Sequence, residues 1–192
     1  MSGSPGRSRE MELTDEFKRI GIRLRQEGLI GAVFGNLSVR GDDGFFITRA
    51  GSYLDDPGSL VIVPFSGPMP PEASSEFRLH REVYRKTPHH AIVHAHPPHA
   101  VAISLVRDEI IPRDSEGEMF CPSIRVVEGR PGSDEMAANV ADALSLSGAV
   151  IVRGHGTFAG AKTLDEAYSL TSSVEHSCRV LFLLHSWEDR RL

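Results

Sequence analysis

Residues 91–96 read Ala-Ile-Val-His-Ala-His, an apolar run that ends on two histidines one residue apart. A run this short and apolar predicts a strand, and on a strand residues i and i+2 project from one face. His94 and His96 can therefore reach one ion. Neutral imidazole suits zinc well and other first-row metals acceptably. Two ligands make a weak site, because a catalytic zinc takes three protein ligands and keeps one position open. The best third candidate is His155, in Arg153-Gly154-His155-Gly156. Its flanking glycines permit unusual backbone angles and close approach.

Nine histidines are present, six of them between His80 and His99, so other ligands compete. His89 and His90 precede the strand and read as solvated. His99 follows His96 by three residues, but Pro98 stands where the HxHxDH pattern of metallo-β-lactamases has its aspartate. His80, His176 and His185 fall on predicted helices, where packing or surface roles are the default.

The rest of the pattern alternates helix and strand. Leu13, Phe17, Ile20 and Leu24 repeat at helical spacing up to about Gly28. A hairpin is expected around Gly41-Asp42-Asp43-Gly44, and strands at 60–64, 91–96, 125–127 and 149–152. Helices are expected from a Ser74 cap to about Lys86, from Pro97-Pro98 to Val106, from a Ser133 cap through Leu144, and from the Thr163–Glu166 capping box onward. This interleaving predicts an α/β layered domain without fixing strand order. Residues 1–10 read as a flexible tail and residues 11–192 as a single domain. A chain of 192 residues with 40% hydrophobic and 24% charged residues can build that core. Its net charge of −5 argues against a nucleic-acid-binding module. The first ten residues lack the apolar region of a signal peptide, and no run is long enough to span a bilayer. Two cysteines make no disulfide framework, so a soluble, cytoplasmic protein is expected.

Glu76 is the best acid–base candidate, and it reads two ways. A carboxylate in a first helical turn complements the helix dipole, worth only ~0.3–1 kcal/mol. A helix start also offers free N–H groups to anions, and Ser74 and Ser75 would add hydroxyls to a phosphate seat beside Glu76. The glycines of Gly35-Asn36 and Gly51-Ser52 serve as turn residues or as further phosphate N–H donors.

In chain order, Gly35-Asn36-Leu37-Ser38, Ile47-Thr48-Arg49-Ala50-Gly51, Ser74-Ser75-Glu76, His94-Ala95-His96 and Gly154-His155-Gly156 resemble the class II aldolase/adducin family. Within it the likeness is to L-fuculose-1-phosphate aldolases of a shorter, archaeal-type branch, and the helix over Thr163–Leu184 is similar too. The resemblance implies three layers, with a central mainly antiparallel sheet flanked by helices. It implies one zinc per subunit on His94, His96 and His155, another divalent metal being the alternative. Glu76 would be the catalytic acid–base, and Asn36, Gly51, Ser74 and Ser75 would seat a phosphate. The implied reaction is reversible cleavage of a short phosphorylated ketose, such as L-fuculose 1-phosphate, to dihydroxyacetone phosphate and an aldehyde. A homotetramer with sites at subunit contacts is implied, with a small phosphorylated sugar as partner and neither nucleic acid nor membrane. A pentulose-phosphate 4-epimerase, a methylthioribulose-phosphate dehydratase and a non-catalytic adducin-like binding module are the alternatives.

Three features depart from the familiar bacterial pattern. Ala50-Gly51 stands in place of Thr-Gly. The stretch 112–117, Pro-Arg-Asp-Ser-Glu-Gly, has no tyrosine acid and reads as a solvated loop, with Asp114 and Glu116 as substitutes. The sequence stops soon after Trp187, where a longer closing tail would follow.

Overall fold

Phe17, Ile20 and Leu24 are fully buried along one side of α1 (Pro5–Gln26). The helix ends at Gly28, whose N–H donates to the Arg25 carbonyl while that of Leu29 reaches back to Leu24. The computed structural model describes residues 5–188, with side chains from residue 10 onward. Residues 5–10 belong to α1, and the remainder of the stretch read as a tail lies outside the described residues.

After α1 come β1 (Asn36–Arg40), β2 (Gly44–Ile47), β3 (Val61–Pro64), α2 (Phe77–Lys86), β4 (Ala91–Ala95), α3 (Pro98–Ser104) and β5 (Glu109–Ile110). The chain continues through α4 (Ser115–Phe120), β6 (Ile124–Val127), α5 (Asp134–Leu144), β7 (Ala149–Val152), β8 (Gly156–Ala161) and α6 (Leu164–Glu188). Among the described residues the eight strands form one sheet in the order β3-β2-β1-β4-β8-β7-β6-β5. Only β6 and β7 run parallel; every other neighbouring pair is antiparallel.

Strand alternation divides the buried residues between two cores. Val93, Ile151 and Ala159 face the α1, α3 and α6 side with Phe17, Leu24 and Val174. Their neighbours Ile92, Val150 and Phe158 face α2 and α5 with Val83, Met136 and Val140. The molecule thus has three layers, helices on both faces of a mainly antiparallel sheet.

Local chemistry sets several boundaries. Ser133 Oγ accepts from the Met136 N–H and caps α5. Thr163 Oγ1 accepts from the Glu166 N–H at the start of α6, while Glu166 returns a bond to the Lys162 N–H. Two elements depart from the sequence reading. Glu76, not Ser74, is the N-cap position of α2. Residues 112–117 are not a loop throughout, because Asp114 caps α4 by accepting from the Gly117 N–H.

Candidate metal centre

Strand β4 lies between β1 and β8 and is antiparallel to both, so its C-terminal end meets their starts. Asn36 pairs with His94 on one side, and Ala95 with Thr157 on the other. This register brings His94, and His96 just past the end of β4, beside the turn that carries His155. Gly154 takes φ +66° there, and a Cβ at Gly156 would stand 2.3 Å from the Ala95 carbonyl oxygen. One glycine thus supplies the left-handed turn and the other the close approach.

The three imidazoles face one another. Ring centroids are 4.7 Å apart for His94–His96, 4.9 Å for His94–His155 and 5.0 Å for His96–His155. One nitrogen from each ring falls within 4.8 Å of the others. Phe158 stacks on His94 at 4.0 Å, and the Thr157 carbonyl accepts from His94 Nδ1 at 2.9 Å. A carbonyl can only accept, so Nδ1 carries the proton and Nε2 turns a lone pair to the cavity. Burial first, and the neighbouring His155 second, push His94 down to about 3. Burial and then its histidine neighbours do the same to His96, also about 3. Both rings are therefore neutral, the form that ligates metal.

The donor set fits a divalent first-row ion. His96 Nε2 lies 3.0 Å from His94 Nε2, a contact of two basic nitrogens that a shared cation would satisfy. Glu76 lies against the set: its Oε2 is 3.2 Å from His94 Nε2 and its Oε1 3.6 Å from His155 Nε2. The carboxylate is 6% exposed and makes no capping bond to its own helix. Its Oε2 instead accepts from Asn36 Nδ2 at 2.8 Å.

A cavity of about 220 Å³ opens on this cluster. Asn36, Gly51, Ser74 and Ser75 line it together with Glu76 and the three histidines. Ser74 accepts from the Glu76 N–H at 3.4 Å. Arg49 and Phe34 also line the cavity; sequence reasoning gave neither a role. Arg49 brings a cation to the cavity wall, and its place beside Ala50-Gly51 was the available signal. Phe34, 56% exposed, stacks on His96 at 5.7 Å.

The other histidines go elsewhere. His89 is half-buried, contrary to its solvated reading, with Nε2 3.0 Å from the Leu144 carbonyl. His99 Nδ1 pairs with Glu175 at 2.7 Å. His176 clusters with Asp114 and Glu116 at the surface. His80, read as a helical histidine with a packing or surface role, is fully buried next to Asn36.

The model of the class II aldolase and adducin N-terminal domain matches residues 15–182. The chain belongs to the class II aldolase/adducin family. An L-fuculose phosphate aldolase of Methanococcus vannielii is 29% identical, over 93% of this chain and 99% of that protein. A 3-oxo-tetronate 4-phosphate decarboxylase of Cupriavidus necator is also 29% identical, over 90% of this chain and 85% of the relative. Among solved structures, the L-fuculose-1-phosphate aldolase of Thermus thermophilus superposes with a TM-score of 0.90 at 38% identity, covering 92% of this chain and 96% of its own. Class II aldolase membership therefore goes with a metal-ready histidine cluster and a sheet of the same architecture.

Proposed function

We propose that this class II aldolase family member is a zinc-dependent lyase that cleaves a short phosphorylated ketose, such as L-fuculose 1-phosphate, to dihydroxyacetone phosphate and an aldehyde. One observation carries the reading: histidines from two distant segments converge within 4.8 Å, with the Glu76 carboxylate 3.2 Å from one of them. His94, His96 and His155 would hold the ion, which when bound acts as a Lewis acid toward the substrate's oxygens.

The chain's own residues account for the rest. Ser74, Ser75, Asn36 and the Gly51 backbone would seat the phosphate, with Arg49 adding charge in place of the hydroxyl that Ala50 lacks. In cleavage the C4 hydroxyl gives its proton to the Glu76 carboxylate as the C3–C4 bond breaks. The aldehyde departs, and the bonding pair remains on the dihydroxyacetone phosphate half as an enediolate. Protonated Glu76 then delivers a proton to C3, and in synthesis its carboxylate removes it. Glu76 contacts two of the histidines, so its carboxylate borders the place where the substrate's oxygens would meet the ion.

The Cupriavidus necator relative supports a second reading, decarboxylation of a 3-oxo acid phosphate. It breaks a carbon–carbon bond and leaves the same kind of enediolate, and Arg49 offers a partner for the additional carboxylate. Zinc-loaded protein incubated with L-fuculose 1-phosphate and, separately, 3-oxo-tetronate 4-phosphate separates the two. Dihydroxyacetone phosphate from the first supports the aldolase, and carbon dioxide from the second the decarboxylase. Neither product from these or related esters sinks both readings.

We further propose that the protein works as a homotetramer. The exposed Leu105, Val106, Ile111, Phe182 and Trp187 support association. Among the described residues no helix is long and apolar enough to cross a membrane.

A further inference from the structure

Behind Glu76 a line of buried polar side chains crosses from α2 to β1 and back. Tyr84 OH is 2.6 Å from Ser38 Oγ, and Ser38 Oγ is 2.6 Å from His80 Nδ1. His80 Nε2 is 2.5 Å from Asn36 Oδ1, and Asn36 Nδ2 is 2.8 Å from Glu76 Oε2. All five residues are buried, so each polar atom has to find its partner inside the line.

The donors can be assigned from the Glu76 end. A carboxylate accepts, so the Asn36 amide donates and its carbonyl oxygen faces His80. That oxygen also accepts, so His80 Nε2 carries a proton. Burial pushes His80 down to about 3, so the ring is neutral and Nδ1 is an acceptor. Ser38 must give its one proton to Nδ1, which leaves Tyr84 to donate to Ser38. Reversing any link would set two acceptors or two donors face to face. Apolar rings enclose the line: Phe45 lies flat against His80 and Phe158 meets it edge-on, each at 6.4 Å.

We infer that Tyr84, Ser38 and His80 form a one-way donor line whose task is to lock the Asn36 amide with its NH₂ toward Glu76, making them positioning residues for the acid–base carboxylate. The inference rests on the proposed role of Glu76 but not on the identity of the sugar. Aligned hydrogen bonds polarise one another, so the last donor is strengthened by those behind it. A line serving only to join helix to sheet need not end on a site carboxylate. Here it ends on the oxygen nearer His94, while the other oxygen faces His155.

Ser38→Ala removes the donor to His80 Nδ1. Asn36 Oδ1 still holds the Nε2–H form, but the ring loses one of its two anchors and the Asn36 amide is held less firmly against Glu76. Ser38→Thr keeps the hydroxyl on a residue that strands accept. The direct readout is the imidazole tautomer in ¹⁵N-labelled protein, from long-range ¹H–¹⁵N correlations with His80 assigned by its loss in His80→Gln. The wild type should show the Nε2–H form with a hydrogen-bonded Nδ1, and in Ser38→Ala the Nδ1 resonance should move to the position of an acceptor that has lost its donor. Kinetically, Ser38→Ala should lower kcat about tenfold with KM within about threefold, Tyr84→Phe should fall between, and Ser38→Thr should recover most of the loss. An Nδ1–H tautomer or an imidazolium in the wild type overturns the inference. So does a Ser38→Ala protein that is less stable but turns over normally, or whose loss lies wholly in KM. The tautomer is read without substrate, so failure of the aldolase assay leaves that test standing.

Discussion

Replacing Glu76 with glutamine keeps the side chain's size and removes the charge that accepts a proton. General acid–base catalysis contributes about 10²–10⁴-fold, so Glu76→Gln should lose kcat on that scale. It should still load metal, as plasma emission analysis of the purified variant would show, because three histidines remain. His155→Ala should do the reverse at the binding step, yielding protein that no longer retains the ion through dialysis. An Arg49→Ala variant should raise KM more than it lowers kcat if the arginine seats an anion. At this scale the sequence was most legible where spacing and geometry coincide: a strand period of two puts His94 and His96 on one face without further knowledge. His80 was not read because a helical histidine defaults to packing. Its signal was the spacing Glu76, His80, Tyr84, one face of a helix, opposite Asn36, Ser38, Arg40, one face of a strand.

That pairing works because two steps along a strand advance about 6.6 Å and four along a helix about 6.0 Å. Strand β1 and helix α2 can therefore exchange bonds rung by rung. The third rung is Arg40, whose guanidinium lies 4.9 Å from the Tyr84 ring and donates to the Thr87 carbonyl at 3.0 Å. Holding His80 neutral makes this pair of elements sensitive to acid. Folded His80 titrates near 3 and unfolded histidine near 6.5, so between those values the unfolded chain binds the extra proton. Stability should fall as pH drops from about 6.5 toward 3. Urea midpoints at pH 7.5, 6 and 5 should decline less in His80→Gln than in the wild type. His94 and His96 act in the same direction, so the difference between the two proteins isolates the His80 share. Among the elements themselves, β8 escaped the sequence reading because Gly-Thr-Phe-Ala-Gly-Ala is buried on both faces and rich in small residues. Strand β5 has only two residues, and α4 six, too few for any periodicity to register.

For the whole molecule, interleaved helices and strands suggest a parallel sheet, yet among the described residues only one pair runs that way. The antiparallel expectation came from family likeness, because strand order is decided by contacts far apart in the chain. Two cores on opposite faces fix the sheet, leaving an apolar surface where Val106 is 75% and Phe182 57% exposed. Light scattering should give a mass well above the 21.0 kDa chain, and Phe182→Asp should reduce it. A wild type that stays monomeric at working concentrations contradicts the proposed tetramer.

His94 on β4, His96 just past its end and His155 on the turn between β7 and β8 come from segments that meet only through the lateral pairing of β4 with β8. An ion shared among them would act as a clasp across the middle of the sheet. Chelation should then be felt well beyond the cavity: amide protons of Val93, Ala95 and Ala159 should exchange with deuterium faster in stripped protein, while those at the centre of α5 keep their pace.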